Sequence, residues 1–230
     1  MRLEALIFDV DGTLAETEEA HRRAFNETFA AFGLDWQWSA EDYRVLLRTT
    51  GGKERMKAHA ETLGVAIDDE LVARIHKAKT ARYGEIIAQR DLALRPGIAD
   101  LVAAAQARGI RLAVATTTNR PNVDALVEAT FGKPAGAIFE VIAAGDEVRA
   151  KKPAPDVYLA ALERLGLPAG SCLALEDSRN GLRSAMAAGI ATVVSPSRYT
   201  AGEDFAGAVA VIGEFTALSL DEAERLLPAR

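Results

Sequence analysis

The sequence predicts an α/β protein: a mostly parallel sheet covered by helices on both faces, interrupted once by an all-helical insertion. Three observations carry this. Leu3 to Phe8 is an apolar run too continuous for a strand with one face in water. From about residue 91 onward, short apolar runs alternate with segments of helical period, the pattern of a parallel sheet joined by crossover helices. Between residues 16 and 90 only helical period is present. Residues 1–15 and 91–230 are therefore expected to form one α/β core. Residues 16–90 become a helical cap on two linkers, able to open and close over one edge of the sheet.

Each element has a local reason. Glu16 to Ala31 places Ala20, Ala24, Phe25, Thr28 and Phe29 near one helical face, has acids in its opening turn, and stops at Gly33. Ser39 is placed to cap a helix holding Tyr43, Leu46 and Leu47. A third helix spans about Lys53 to Leu63, before Gly64. A longer one from Asp68 to Ala88 carries Leu71, Ile75, Ala78, Tyr83 and Ile87. In the core, helices are expected over Ile98–Ala107, from Pro121 to Thr130, Pro155–Leu165, Arg179–Ala188 and Ser219–Leu227. Proline in a first turn and glycine just past a last one mark several of these ends. The strands are Leu112–Ala115, Phe139–Ala143, Ser171–Leu175, Ile190–Val194 and Val209–Ile212.

Composition narrows the function classes. At 230 residues the chain can bury a full core and a smaller domain. A formal charge of −6 argues against a general nucleic-acid surface. The single cysteine, Cys172, reads as a small core residue in a reducing compartment. The histidines His21, His59 and His76 make no close pair of metal-binding spacing, which argues against zinc. No apolar run reaches membrane-spanning length and no cleavable leader is visible, so a cytoplasmic protein is expected.

The chemistry starts in Asp9-Val-Asp11-Gly-Thr13. Two carboxylates past the end of a buried strand repel each other and lose hydration, and a divalent cation balances them most economically. Asp9 is the candidate nucleophile, a carboxylate that attacks phosphorus and gives an aspartyl phosphate. Asp11 is the candidate general acid and base. Mg2+ is the expected ion, being hard and oxygen-seeking. Thr116 and Thr117 lie at a strand–helix junction suited to phosphoryl oxygens. Lys152, beside Pro153, is the expected phosphate clamp, with Lys151 left to solvent. Glu176 and Asp177 end another buried strand. Asp177 is the expected direct metal ligand and Glu176 binds directly or through water, with Ser178 and Asn180 as candidates to orient these acids.

In this order, Asp9-Val-Asp11-Gly-Thr-Leu, Thr116, Lys152-Pro-Ala-Pro-Asp and Glu176-Asp177-Ser-Arg-Asn-Gly181, the chain resembles the haloacid-dehalogenase-like hydrolase superfamily. That resemblance implies a Rossmann-like core, phosphorylation of the first Asp, acid–base work by the second, and a metal contact from the Asp11 backbone carbonyl. True dehalogenases lack an acid at position 11, so its presence favours phosphate chemistry. The helical insertion resembles the small cap of the subgroup holding β-phosphoglucomutase, phosphoglycolate phosphatase and the CbbY proteins. Overall similarity is greatest to CbbY, implying a phosphatase of xylulose 1,5-bisphosphate.

Substrate choice is expected in the cap. Glu18 and His21 occupy positions that face substrate in the resembling enzymes, and His21 is placed to touch sugar or to position Asp11. Lys53, after Gly51-Gly52, with Arg55 close by, is a candidate for a distal phosphate, as is Lys79, which resembles a cap lysine of the mutase. His59 and His76 are expected to be surface or packing residues. The expected partner is a small phosphorylated sugar, with no nucleic acid and no membrane, and a monomer is compatible with this. A phosphomutase, a phosphoglycolate phosphatase and a non-catalytic phosphosugar-binding module are the competing readings. The intact Asp pair disfavours the last of them.

Overall fold

Chain order opens with β1 (Ala5–Phe8), followed by four helices: α1 (Glu18–Ala31), α2 (Ala40–Leu46), α3 (Gly52–Thr62) and α4 (Asp69–Ala88). Helices and strands then alternate: α5 (Ile98–Ala107), β2 (Arg111–Ala115), α6 (Arg120–Phe131), α7 (Ala135–Ile138), β3 (Val141–Ala143), α8 (Asp156–Leu165), β4 (Cys172–Glu176), α9 (Arg179–Ala187), β5 (Ala191–Val194), β6 (Ala210–Val211) and α10 (Leu220–Arg225). The structure, a computed structural model, describes residues 2–89 and 92–228. The expected core–cap boundary at residues 90 and 91 lies outside the described residues.

Among the described residues, six strands run parallel in the order β3-β2-β1-β4-β5-β6. β1 sits between β2 and β4, and every residue of β1 and β4 is buried, as their unbroken apolar character requires. Leu6, Phe8, Leu112, Val114, Leu173 and Leu175 face α5 and α6 through Ile98, Leu101, Val123 and Leu126. The opposite face is lined by Ala5, Ala113, Ala115 and Ala174, small side chains that let α8 and α9 approach with Val157, Tyr158, Ala161 and Ala185. Helices α1–α4 bury an aromatic cluster of their own, built on Phe25, Phe29, Trp38 and Tyr43. Trp38 packs edge-on against Phe29 at 4.7 Å. The chain thus has a parallel sheet core with an inserted helical cap.

Local signals hold where a side chain does the work. Ser39 caps α2 in a reciprocal pairing with Asp42, and Asp68 caps α4. Two departures have simple causes. α1 begins at Glu18 rather than Glu16, because the chain is still in the linker at Thr17, whose hydroxyl is committed to Asp11 at 2.6 Å. The four-residue α7 is too short to leave a period in the sequence. Among the described residues no helix is long and apolar enough to cross a membrane.

Candidate active site

Sheet order brings the dispersed motifs together. Asp9 follows β1, Glu176 and Asp177 end the neighbouring β4, and Thr116 follows β2 on the other side. Carboxylate oxygens of Asp9, Glu176 and Asp177 lie within 4.8 Å of one another, all in buried residues. Lys152 Nζ donates to Asp9 Oδ1 at 2.7 Å and to Glu176 Oε1 at 2.6 Å. Tyr158 also donates to Glu176 Oε1, at 2.6 Å. One ammonium therefore binds two of the three carboxylates and leaves Asp177 without it, and the acids respond. Burial first, then the charge of Glu176 and of Asp11, push Asp9 up to about 7 although Lys152 pulls it down. Burial, Asp9 and Glu176 raise Asp177 well above the carboxylate range. Burial opposes the charged form of Lys152, yet Asp9 and Glu176 hold it above its ordinary value. A cluster of oxygen donors this short of positive charge suits a hard divalent cation.

Glycine makes the cluster possible. Gly12 has φ +87°, and a Cβ there would lie 2.2 Å from Asp177 Oδ2. The turn after β1 thus carries Asp11 past the site while leaving room for the carboxylate from β4.

Asp11 has a separate environment. Its Oδ1 accepts from Thr17 Oγ1 at 2.6 Å and pairs with His21 Nε2 at 2.9 Å. His21 Nδ1 is 2.6 Å from Lys79 Nζ, and the imidazole stacks on Tyr83 at 4.0 Å. When Lys79 carries its proton it donates to Nδ1, which leaves Nε2–H toward Asp11. Burial raises Asp11, but His21, Thr17 and Lys79 together outweigh it and hold the acid at about 2. Burial lowers Lys79 to about 7, against the pull of Asp11. The spacing explains the arrangement. Lys79 and Tyr83 are four residues apart on α4, so amine and ring lie on one face, where His21 from α1 meets both.

Of the residues singled out in the sequence for chemistry, all but Glu176 line one cavity of about 430 Å³ between sheet edge and cap. Thr116 is buried, its Oγ1 accepting from Thr118 N at 3.2 Å, and Thr117 lines the cavity next to it. Glu18 Oε2 is buried without a hydrogen-bond partner. Arg55 is braced by the cap, with Nη1 donating to Tyr43 Oη at 2.8 Å and the guanidinium over the Tyr43 ring. Lys53 is exposed on the same wall.

Three expectations for neighbouring residues change. Lys151 is not left to solvent: its ammonium donates to the Gly145 carbonyl, and burial lowers its pKa. Ser178 caps α9 through Gly181 N at 3.1 Å, and Asn180 Nδ2 reaches Arg48 O of the cap at 3.2 Å, so neither touches the acids through the bonds they make. His76 lines the cavity, whereas His59 packs edge-on against Trp38.

Sequence reasoning also missed residues. Thr200 Oγ1 donates to the Asp177 carbonyl at 2.7 Å, from an irregular segment that carries no periodic signal. Arg95 joins the two cap linkers: its N–H donates to Leu14 O at 2.8 Å and its Nη1 to Gly12 O at 2.7 Å. A lone arginine before Pro96-Gly97 gives no hint of a partner 83 residues earlier.

Comparison with known proteins agrees with this geometry. The chain matches the haloacid dehalogenase-like hydrolase family over residues 3–189. It is 68% identical to protein CbbY of Rhodobacter capsulatus over 208 residues, 90% of this chain and 92% of that one. It is 57% identical to protein CbbY of Cereibacter sphaeroides over 94% of each chain. A crystal structure of an Asp-to-Asn mutant of CbbY from Rhodobacter sphaeroides, in complex with xylulose-(1,5)bisphosphate, superposes with a TM-score of 0.89 at 57% identity, covering 94% of this chain and 96% of that one. The family match over residues 3–189, with identities of 57–68% to relatives over nearly the whole length, makes this chain a member of the haloacid dehalogenase-like hydrolases.

Proposed function

We propose that this chain is a Mg2+-dependent sugar-bisphosphate phosphatase that acts on xylulose 1,5-bisphosphate through an aspartyl phosphate. The observation that carries the reading is the buried cluster of Asp9, Glu176 and Asp177, two of which share the Lys152 ammonium, with Asp9, Asp177 and Lys152 lining the cavity under the cap. The bisphosphate comes from the CbbY relative seen in complex with it. Residues 1–15 and 91–230 serve as catalytic core and 16–90 as cap.

Asp9 attacks phosphorus and the ester oxygen leaves, forming the acyl phosphate. Asp9, Asp177 and Glu176, with the Asp11 backbone carbonyl, would hold Mg2+, which when bound neutralises charge on the phosphoryl oxygens. Lys152 keeps Asp9 oriented and offsets charge on the transferring group, while Thr116 and Thr117 hold its oxygens. Asp11 is ionised at rest, so it is ready to take a proton from the water that cleaves the acyl phosphate. To protonate the departing alkoxide it must first gain a proton. The dianionic phosphoryl group entering beside it raises its proton affinity, and the Lys79–His21 pair supplies the path. Glu18 and His21 face the sugar, Lys53 and Arg55 the distal phosphate, and the closed cap excludes bulk water.

A phosphate-release screen of sugar mono- and bisphosphates with Mg2+ tests this. Xylulose 1,5-bisphosphate should give the highest kcat/KM, and Asp9→Asn should abolish turnover. Lys53→Ala should raise KM for the bisphosphate about 10-fold while barely changing that for p-nitrophenyl phosphate, the effect of losing one charge-assisted hydrogen bond. Full activity in Asp9→Asn, or isomerised hexose phosphate in place of free phosphate, would overturn the reading.

A further inference from the structure

The segment from Ser195 to Thr200, between β5 and β6, touches three parts of the molecule: the Arg95 guanidinium, the cap and Asp177. At its start, Ser195 accepts two bonds from the Arg95 guanidinium, at its carbonyl (2.6 Å) and its hydroxyl (2.7 Å), while the same guanidinium holds the Gly12 carbonyl of the first cap linker. In its middle, the segment meets the cap. Arg198 N donates to Glu16 Oε1 at 3.1 Å, and the Tyr199 hydroxyl donates to Glu19. The Tyr199 ring is buried among the cap aromatics, edge-on to Tyr43 at 5.8 Å, with the Arg44 guanidinium 5.4 Å from its centroid. At its end it meets Asp177. Thr200 Oγ1 donates to the Asp177 carbonyl at 2.7 Å and lies 3.3 Å from Oδ2.

These contacts are mechanically linked. Ser197 N donates to Thr200 Oγ1 at 2.9 Å, occupying a lone pair and leaving the hydroxyl proton for Asp177. Thr200 N and Ala201 N both return to Ser197 O, at 3.2 and 2.9 Å, closing residues 197–201 into one turn. Tyr199 is inside that turn, so a cap movement that carries its ring along pulls on the backbone one residue from Thr200. Thr200 in turn holds the backbone of Asp177, whose carboxylate occupies the space that a Cβ at Gly12 would fill.

We propose that Tyr199 and Thr200 are positioning residues for Asp177, so that seating of the cap on Tyr199 and binding of a divalent cation at Asp177 favour each other. The inference rests on the reading of Asp177 as a metal ligand. Linkage makes it reciprocal: what the cap contributes to the cation site, the cation contributes to cap closure by the same factor. Partners of metal ligands commonly change metal affinity by ten- to a hundredfold when removed. Thr200 belongs to that class. Tyr199 bonds to Glu19 and to none of Asp9, Glu176 and Asp177, so any effect it has on the metal must travel through the turn.

The test is Mg2+ affinity measured calorimetrically on the full chain without substrate, with melting in EDTA to confirm folding of each variant. Thr200→Val should weaken Mg2+ about 10-fold and Thr200→Ser should restore it. Tyr199→Ala should weaken Mg2+ by roughly 3- to 10-fold, and the double variant should be no weaker than the more affected single one, because both act through one turn. If Tyr199→Ala does not fold, Tyr199→Phe, which keeps the ring and loses the bond to Glu19, should still weaken Mg2+ measurably. An unchanged Mg2+ affinity in the folded Tyr199 variant, with the parent binding normally, overturns the coupling and leaves the proposed activity standing. A parent chain that binds no Mg2+ overturns the metal assignment itself, and this inference with it.

Discussion

Asp9 and Asp11 are two positions apart in one turn, yet their surroundings hold them at about 7 and about 2. Asp9 shares the Lys152 ammonium with Glu176 and sits among other carboxylates, whereas Asp11 meets an imidazole and a hydroxyl, with the Lys79 amine behind the imidazole. Splitting like acids in this way suits the roles proposed above, Asp9 as nucleophile beside a cation and Asp11 for protons. A pH-dependent metal effect follows. Unfolding returns Asp9 to 3.8, so between about 4 and 7 the folded chain binds a proton that the unfolded chain releases. Without metal, stability therefore falls as pH rises through that window, and Asp177, raised in the same direction, adds to the loss. Mg2+ replaces the protons. At about a hundredfold excess over its dissociation constant it should contribute about 2.7 kcal/mol, or roughly 5–10 °C in Tm, at pH 8, and far less at pH 5, where protons compete. Melting curves with Mg2+ and with EDTA at both pH values decide it. Equal gains at both would show that these carboxylates are not the binding site.

At the level of the element, the turn after β1 is the most constrained piece of chain. Its glycine is required twice over, by φ +87° and by an Asp177 oxygen 2.2 Å from where a Cβ would stand. Gly12→Ala should destabilise the protein by about 1–3 kcal/mol in urea, from backbone strain alone. It should also weaken Mg2+, since Asp177 must retreat, and retention of both stability and Mg2+ affinity would refute the crowding. α4 makes the contrasting case. Its apolar side chains Val72 and Ile75 enter the aromatic cluster, and Ile86 and Ile87 a second small one, while Lys79 and Tyr83 on the same helix serve Asp11. A helix that packs the cap thus also carries the Lys79 amine and the Tyr83 ring that meet His21 beside Asp11.

Across the whole molecule, the cap is fastened to the core at points that matter for chemistry. Thr50 donates to the Lys152 carbonyl, Asn180 holds the Arg48 carbonyl, and Asn119 Nδ2 of the core donates to Thr80 Oγ1 of α4 at 2.9 Å. Arg95 is the central fastener. Its buried guanidinium binds Gly12, Ser195 and Glu214, spanning both linkers and the far end of the core. Arg95→Met should cost about 3–5 kcal/mol, because the carbonyls it serves are left buried and unpaired. Urea unfolding in EDTA measures this apart from any metal effect, and a loss below about 1 kcal/mol would mean that water or a rearranged loop replaces the guanidinium.

The strands, the helical insertion and the motif residues were legible in the chain because each rests on local information: apolar runs that must be buried, helical period, capping residues, and acids placed where strands end. Lys152 was legible because it adjoins a proline-started helix in an ordered set of motifs. What folding alone decided was which side chains meet across long separations. Nothing near His21 in sequence announces Lys79, nothing near Gly12 announces Arg95, and nothing in the irregular run after β5 announces that Thr200 will hold Asp177. The same limit explains Lys151, whose carbonyl partner exists only once the loop has closed. Local patterns report the cost of exposing apolar surface, whereas a buried hydrogen bond between distant segments depends on where the packed sheet and cap happen to bring them.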